Sequence, residues 1–125
     1  MLPVIAVDLG AGSLRVARVD LDRIGDRNEP VEVVHRYAHS PVRSSDGSLR
    51  WDWPRLMTEV ELGLELVLRA GSVASIGISA WGVDYGLIDT GGRLTSPPFA
   101  YRDNRTSGWQ STVGRFGERR LYETT

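Results

Sequence analysis

The sequence of 125 residues contains neither cysteine nor lysine. Without cysteine, disulfide bonds, thiolate metal sites and thiol nucleophiles are excluded. All 15 basic residues are arginine, so a Schiff-base lysine and the lysine of a P-loop are excluded as well. These absences remove several common classes of catalytic and metal-binding site.

Long apolar runs and an excess of positive charge are also missing. No apolar run approaches the roughly 20 residues that cross a bilayer, and the N-terminus lacks the basic segment of a signal peptide. The net charge is −1, which argues against a surface for nucleic acid. We therefore expect a cytoplasmic protein that binds neither nucleic acid nor membranes.

The composition is otherwise that of one soluble globular domain. Hydrophobic residues make up 41% and charged residues 25% of the chain. A chain of this length can bury about two-thirds of its unfolded surface, which is enough for one core. The 14 glycines exceed the average share of about 7% and occur in clusters.

The first part of the chain has the pattern of three successive strands. Residues 4–7 form a short apolar run that predicts a strand buried on both faces. Residues 14–20 and 31–38 predict two further strands, and the polar residues 22–30 predict a surface turn. The chain is therefore expected to open with an antiparallel β-meander.

The remainder predicts helices alternating with strands. Asp52 and Pro54 suit the start of a helix that Gly71 ends. Strands are expected at 73–79 and 83–89, and a weak helix at 106–116. Together these elements indicate a mixed α/β layer. The apolar stripe of the first helix comprises Trp53, Leu56, Met57, Val60, Leu64, Val67 and Leu68.

The turn after the first predicted strand has the composition of a phosphate site. Asp8 ends the strand, and Gly10 to Ser13 are small residues whose backbone amides can approach an anion. Arg15 adds positive charge. A carboxylate beside phosphates usually requires a cation between them, which makes Asp8 a candidate magnesium ligand. The alternative is a plain tight hairpin.

Two later segments have the composition of a sugar site. Trp81, Gly82 and Asp84 follow the predicted strand 73–79, and sugar sites combine aromatic faces with carboxylates. Residues 101–106 form a charged loop. The alternatives are core aromatics on a bent strand and a solvated loop with a local ion pair. The two histidines, His35 and His39, lack an acidic neighbour at metal-ligand spacing and are expected to be structural, as are Trp51 and Trp53.

In this order and spacing the three segments resemble the N-terminal portion of the FGGY carbohydrate kinases, and within that family the branch that acts on L-rhamnulose. The likeness covers nearly all 125 residues. Residues 6–11 with Ser13 and Arg15 are similar to the first phosphate-loop motif. Residues 81–89 are similar to the most distinctive stretch of the branch. The loop from Pro98 to Thr106 resembles the one that follows.

The resemblance implies a ribonuclease H-like α/β domain of the sugar kinase, Hsp70 and actin superfamily. It also implies transfer of the γ-phosphoryl group of ATP to the 1-hydroxyl of L-rhamnulose, with Mg²⁺ at Asp8. By position, the ATP loop would comprise Ala11, Gly12, Ser13, Leu14 and Arg15, and the sugar site would comprise Trp81, Gly82, Asp84, Tyr101, Asp103 and Arg105.

The sequence departs from the family pattern in three ways. Gly12 stands where serine is usual, Leu14 where glycine is usual, and Ser79-Ala80 where Asp-Thr is usual. Family members are also about four times longer, so residues 1–125 are expected to be part of the first domain. The nucleotide-binding domain and the aspartate that acts as catalytic base are expected beyond residue 125.

The isolated chain is therefore expected to lack kinase activity, because phosphoryl transfer depends on positioning and charge stabilisation from both walls of a cleft. Two alternatives remain open. One is a non-catalytic remnant that binds a ligand or a partner chain, with self-association through the surface left exposed. The other is a kinase of the same family for another ketose.

Overall fold

The computed structural model describes residues 1–25 and 30–124. Short 3-10 turns occupy Leu21–Arg23 and Asn104–Thr106. The strands and helices are, in chain order, β1 (Val4–Leu9), β2 (Ser13–Val19), β3 (Val31–Ala38), β4 (Val42–Arg43), β5 (Leu49–Arg50), α1 (Trp53–Arg69), β6 (Ile76–Ser79), α2 (Trp109–Phe116) and α3 (Glu118–Thr124).

The main sheet has the strand order β3-β2-β1-β6. Strands β1, β2 and β3 pair antiparallel, whereas β6 pairs parallel with β1. A mixed sheet that opens with a β-meander was predicted, and it is confirmed. The predicted turn at 22–30 lies partly outside the described residues, which omit 26–29. Strands β4 and β5 form a separate two-stranded ladder that the sequence pattern did not predict.

Helix α1 begins and ends where the sequence predicted. The side chain of Asp52 accepts a hydrogen bond from the backbone N–H of Arg55 at 3.2 Å, and Pro54 lies in the first turn. Gly71 follows the last turn with a φ of +140°, a region that favours glycine. The caps thus fix both ends of the helix.

Helix α1 packs on one face of the sheet and closes the core. Its buried apolar side chains meet those of β1 and β2. Leu68, which belongs to the predicted stripe, is instead about half exposed. The core comprises Ile5, Val7, Leu9, Leu14, Val16, Trp51, Leu56, Val60, Val67 and Ala100.

The prediction that β1 is buried on both faces is wrong. Ile5, Val7 and Leu9 are buried, whereas the alternate residues Val4, Ala6 and Asp8 are only partly covered. Since successive side chains of a strand point to opposite faces, the helix α1 can bury only one of the two sets.

The predicted strand at 83–89 does not form. The segment makes a single isolated bridge, between Ile88 and Leu94, and is largely exposed. Its backbone turns back on itself, with the N–H of Thr95 donating to the carbonyl of Leu87 and that of Asp89 donating to Arg93. The residues that suit a strand by composition therefore lie outside the sheet.

The C-terminal part also differs from prediction. The helix expected at 106–116 begins only at Trp109, and its apolar side chains Trp109 and Phe116 remain about half exposed. Helix α3 follows and was not predicted from the sequence. In the part of the chain that the structure describes, no helix has the length and apolarity needed to cross a membrane.

Candidate functional site

The candidate site lies where the carboxyl ends of β1 and β6 meet. Asp8 is in register with Ser79 across the parallel pair. The turn that follows Asp8 and the segment that follows Ser79 therefore leave the sheet side by side. Loops at the carboxyl ends of parallel strands are the usual position of ligand sites in α/β sheets.

The turn between β1 and β2 carries the predicted phosphate residues. The N–H of Gly10 donates to the carbonyl of Ser13 at 3.1 Å, which closes a tight turn whose residues Ala11 and Gly12 are exposed. Arg15 lies opposite Asp8 in the ladder, and its guanidinium is 3.2 Å from the Asp8 carboxylate. The turn thus presents small residues beside one acidic and one basic group.

Leu14 departs from its predicted role in this turn. Its side chain is fully buried in the core against α1. The residue therefore stabilises the hairpin and has no surface that could contact a nucleotide.

Trp81 joins the second predicted segment to this turn. Its indole N–H donates to the carbonyl of Gly10 at 3.1 Å. Its ring stacks on that of Trp51, with centroids 4.1 Å apart and planes 7° from parallel. Trp51 is buried, as predicted, but the sequence pattern did not indicate that it lies beneath the candidate site.

Asp84 has one oxygen engaged and one free. The indole N–H of Trp51 donates to Oδ2 at 2.6 Å. The other oxygen, Oδ1, is buried and has no hydrogen-bond partner among the described residues. Both side chains line a cavity of about 370 Å³ whose other walls include Leu9, Trp81 and Tyr85. A buried acceptor without a donor is costly, which makes Oδ1 a candidate acceptor for a ligand hydroxyl.

The predicted loop residues divide into two groups. The ring of Tyr101 lies 6.4 Å from that of Trp51, next to the cluster described above. Asp103 instead faces inward and accepts hydrogen bonds from the backbone N–H groups of Leu49 at 2.7 Å and Arg105 at 2.9 Å. With both oxygens engaged and the residue buried, Asp103 holds the loop in place and is not available to a sugar.

Arg105 is engaged in the same local structure. Its guanidinium lies 4.3 Å from the centre of the Phe99 ring and 3.8 Å from the Asp103 carboxylate. The structure thus brings together Asp8, residues 10–15, Trp81 and Asp84, with Tyr101 at the margin. Gly82 follows Trp81 on the exposed side.

We expect the contribution of Asp103 to stability to disappear in acid. The N–H groups of Leu49 and Arg105 lower the pKa of this carboxyl in the folded state. A lowered folded-state pKa adds stability above the unfolded value of about 3.9, and that stability is lost as the pH falls through the folded value. The difference in Tm between the wild-type chain and Asp103→Asn should therefore narrow from about pH 6 to about pH 3. A constant difference would contradict this role.

His35 has no acidic neighbour at metal-ligand spacing in the sequence, but folding brings an acidic partner to it. Its Nε2 lies 2.7 Å from Oε2 of the buried Glu59 on α1, which also pairs with Arg55. The two residues are 24 positions apart in sequence, so local spacing could not show the pair.

His39 packs against both tryptophans of the site. Its ring meets Trp51 and Trp81 edge-on, with centroid distances of 5.3 Å and 5.8 Å. Both ring nitrogens are buried without a hydrogen-bond partner among the described residues, and burial lowers the pKa of the ring. The imidazole therefore acts as a neutral wall of the aromatic cluster.

The turn fits magnesium only as part of a nucleotide complex. In the described ranges, no three His, Asp or Glu side chains are grouped as a metal site. Mg²⁺ is often held by one or two carboxylates together with phosphate oxygens and water. Asp8, half exposed at the end of β1, supplies one such carboxylate, and the exposed backbone of Ala11 and Gly12 is suited to phosphates.

The chain is similar over its whole length to proteins of known activity. It is 37% identical over 123 residues to a rhamnulokinase of Enterococcus faecalis, and the match covers 97% of this chain and 24% of that protein. It is 38% identical to a rhamnulokinase of Mannheimia succiniciproducens, and the match covers 100% of this chain and 26% of that protein. The chain thus spans about a quarter of the length of these relatives. No family model matches it.

Solved structures show the same fold. A xylulose kinase from Lactobacillus acidophilus superposes with a TM-score of 0.73 over 98% of this chain and 24% of its own, at 16% identity. A gluconate kinase from the same organism superposes with a TM-score of 0.68 at 15% identity, and the match covers 97% of this chain and 24% of that protein. The mixed α/β sheet with its meander is therefore the fold found in these sugar kinases.

Proposed function

We propose that the chain forms one wall of the active site of an ATP-dependent sugar kinase. It is rhamnulokinase-like over its whole length and has the fold of sugar kinases. Identities of 36–38% to three rhamnulokinases support the assignment. The whole-chain superposition on a xylulose kinase supports the fold on which it depends.

One observation carries the proposal: the hydrogen bond from the Trp81 indole to the Gly10 carbonyl. It fixes the segment with sugar-site composition to the turn with phosphate-site composition. Phosphoryl transfer requires the attacking hydroxyl and the phosphate to be held next to each other. This hydrogen bond holds the proposed sugar-binding segment next to the proposed phosphate-binding turn.

On the sugar side, the chain supplies an aromatic surface and a carboxylate. Trp81 offers its ring to the C–H face of a ketose, and the free Oδ1 of Asp84 accepts a hydroxyl. Gly82 leaves the approach open, since a methyl group added there would meet nothing within 4 Å. Tyr101 lies at the edge of this sugar site, beside the ring of Trp51.

On the phosphate side, the turn residues bind the nucleotide and its metal. Ala11, Gly12 and Ser13 offer backbone and hydroxyl groups to the phosphates, and Arg15 adds positive charge beside them. Asp8 would hold Mg²⁺, which neutralises charge on the transferring phosphoryl group when it is bound. Arg15 would then release its ion pair with Asp8.

The complete kinase would contain a second domain that binds the nucleotide base. The chain spans 24–26% of the curated relatives, which leaves room for that domain and for the aspartate that deprotonates the sugar hydroxyl. The present residues position substrates and do not include that base.

We expect the isolated chain to show no ATP-dependent phosphorylation of L-rhamnulose. One wall cannot exclude water or align the two substrates, and alignment accounts for much of the rate of such reactions. A coupled assay for ADP release would test this, with the Enterococcus faecalis rhamnulokinase as the active control. Turnover by the 125-residue chain would contradict this expectation and show that these residues alone suffice for phosphoryl transfer.

The proposed sugar is L-rhamnulose, on the basis of the relatives' activity. A protein carrying this chain together with the remaining domain should phosphorylate L-rhamnulose faster than L-fuculose or D-xylulose. If L-fuculose or D-xylulose is phosphorylated faster, the protein is still a sugar kinase but its substrate is a different ketose. Ser79 and Ala80, at the carboxyl end of β6, are the residues beside the site that such a difference would implicate.

A further inference from the structure

Asp84 is a loop residue, and its orientation depends on another part of the chain. It lies in the irregular segment between β6 and Pro98, which makes few regular backbone hydrogen bonds. Nothing in its own segment fixes the rotation of the carboxylate. The hydrogen bond that does so comes from Trp51, which is 33 residues away.

Trp51 is itself held from three sides. Its backbone N–H donates to the carbonyl of Pro98 at 3.0 Å, its ring stacks on Trp81, and the edge of His39 meets it at 5.3 Å. The side chain is only 1% exposed. Its indole N–H therefore points in one direction, toward Asp84.

The consequence for Asp84 is that its two oxygens differ. Oδ2 accepts from Trp51 at 2.6 Å, whereas Oδ1 is buried and has no donor in the described part of the chain, and Asp84 lines the cavity. We propose that Trp51 is a positioning residue that holds Asp84 so that Oδ1 accepts a ligand hydroxyl. This inference rests on the proposed function.

The test removes the indole N–H while keeping an aromatic ring. Trp51→Phe preserves most of the stack with Trp81 and leaves Oδ2 without its donor. Asp84→Asn removes the charged acceptor. We expect each variant of the chain to bind L-rhamnulose about tenfold more weakly than wild type, by ligand-observed NMR titration. Because both act on one interaction, the double variant should lose about the same tenfold and not a hundredfold.

A structural role alone would not give this coupling. Trp109→Phe is the matched control, since Trp109 lies on the exposed face of α2, and it should bind as wild type does. A second readout is the indole N–H resonance of Trp51, whose chemical shift reports the hydrogen bond to Asp84 and should change in Asp84→Asn.

The outcomes separate the inference from the proposed function. Suppose that the wild-type chain binds L-rhamnulose. If Trp51→Phe then binds it with the same affinity, or if the double variant loses the sum of the two single losses, the positioning role is overturned and the proposed sugar site remains. Absence of ketose binding by the wild-type chain would overturn both. Tenfold, non-additive losses together with a changed Trp51 indole resonance in Asp84→Asn would support the positioning role.

Discussion

Replacing Trp51 with alanine is expected to lower the free energy of unfolding by about 3–5 kcal/mol, the usual cost of removing a large buried aromatic side chain. The ring is 1% exposed and lies in the core between the sheet and the start of α1. Its removal would open a cavity, end the stack with Trp81 and leave the Asp84 carboxylate without its donor. Chemical denaturation followed by circular dichroism measures the change.

The matched control is Trp109→Ala, which removes the same side chain from a site that is 57% exposed. Away from the core and from specific contacts, surface substitutions usually change stability by about 0.5 kcal/mol or less. Equal losses in the two variants would mean that Trp51 is not part of the core.

A second large effect is expected from Gly63→Ala in the middle of α1. A methyl group at Gly63 would lie 2.6 Å from Cβ of Val16 on β2, too close for two carbon atoms. Because Cβ cannot move by a change of rotamer, the helix and the sheet would have to separate. Overpacking of this kind costs about 1–3 kcal/mol and would exceed the gain from alanine's better helix propensity.

Gly114→Ala in α2 provides the control for that substitution. A methyl group there would meet nothing within 4 Å. Alanine is favoured over glycine in a helix by about 0.5–1 kcal/mol, so this variant should be as stable as wild type or slightly more stable. Thermal unfolding of the two variants in parallel should give a lower Tm for Gly63→Ala and an unchanged or slightly higher Tm for Gly114→Ala. A stabilised Gly63→Ala variant would contradict the close packing of α1 on β2.

The features that the sequence predicted well are those that depend on neighbouring residues. Asp52 and Gly71 mark the ends of α1 because caps act within one turn of the helix. The three strands of the meander pair in chain order, and β1 is joined to β2 by the short segment 10–12.

The features that it missed depend on which surfaces meet. Residues 83–89 have the composition of a strand, but the chain leaves the sheet after Ser79, and the indole of Trp81 then binds the turn after β1. The pair of His35 with Glu59 and that of Trp51 with Asp84 each join residues far apart in the chain. Spacing in the sequence does not indicate such pairs, because tertiary packing creates them: β3 against α1 for the first, and two segments outside the sheet and the helix for the second.

The candidate site divides in the same way. The sequence by itself determined which chemical groups are present: small residues and a carboxylate after one strand, and an aromatic residue with a carboxylate after another. Only the tertiary structure decided which groups are available. Among the described residues, it gave Oδ1 of Asp84 no hydrogen-bond donor, and it used both oxygens of Asp103 for backbone N–H groups. The physical reason is that a side chain's availability depends on the donors that folding brings to it, and those donors come from distant parts of the chain.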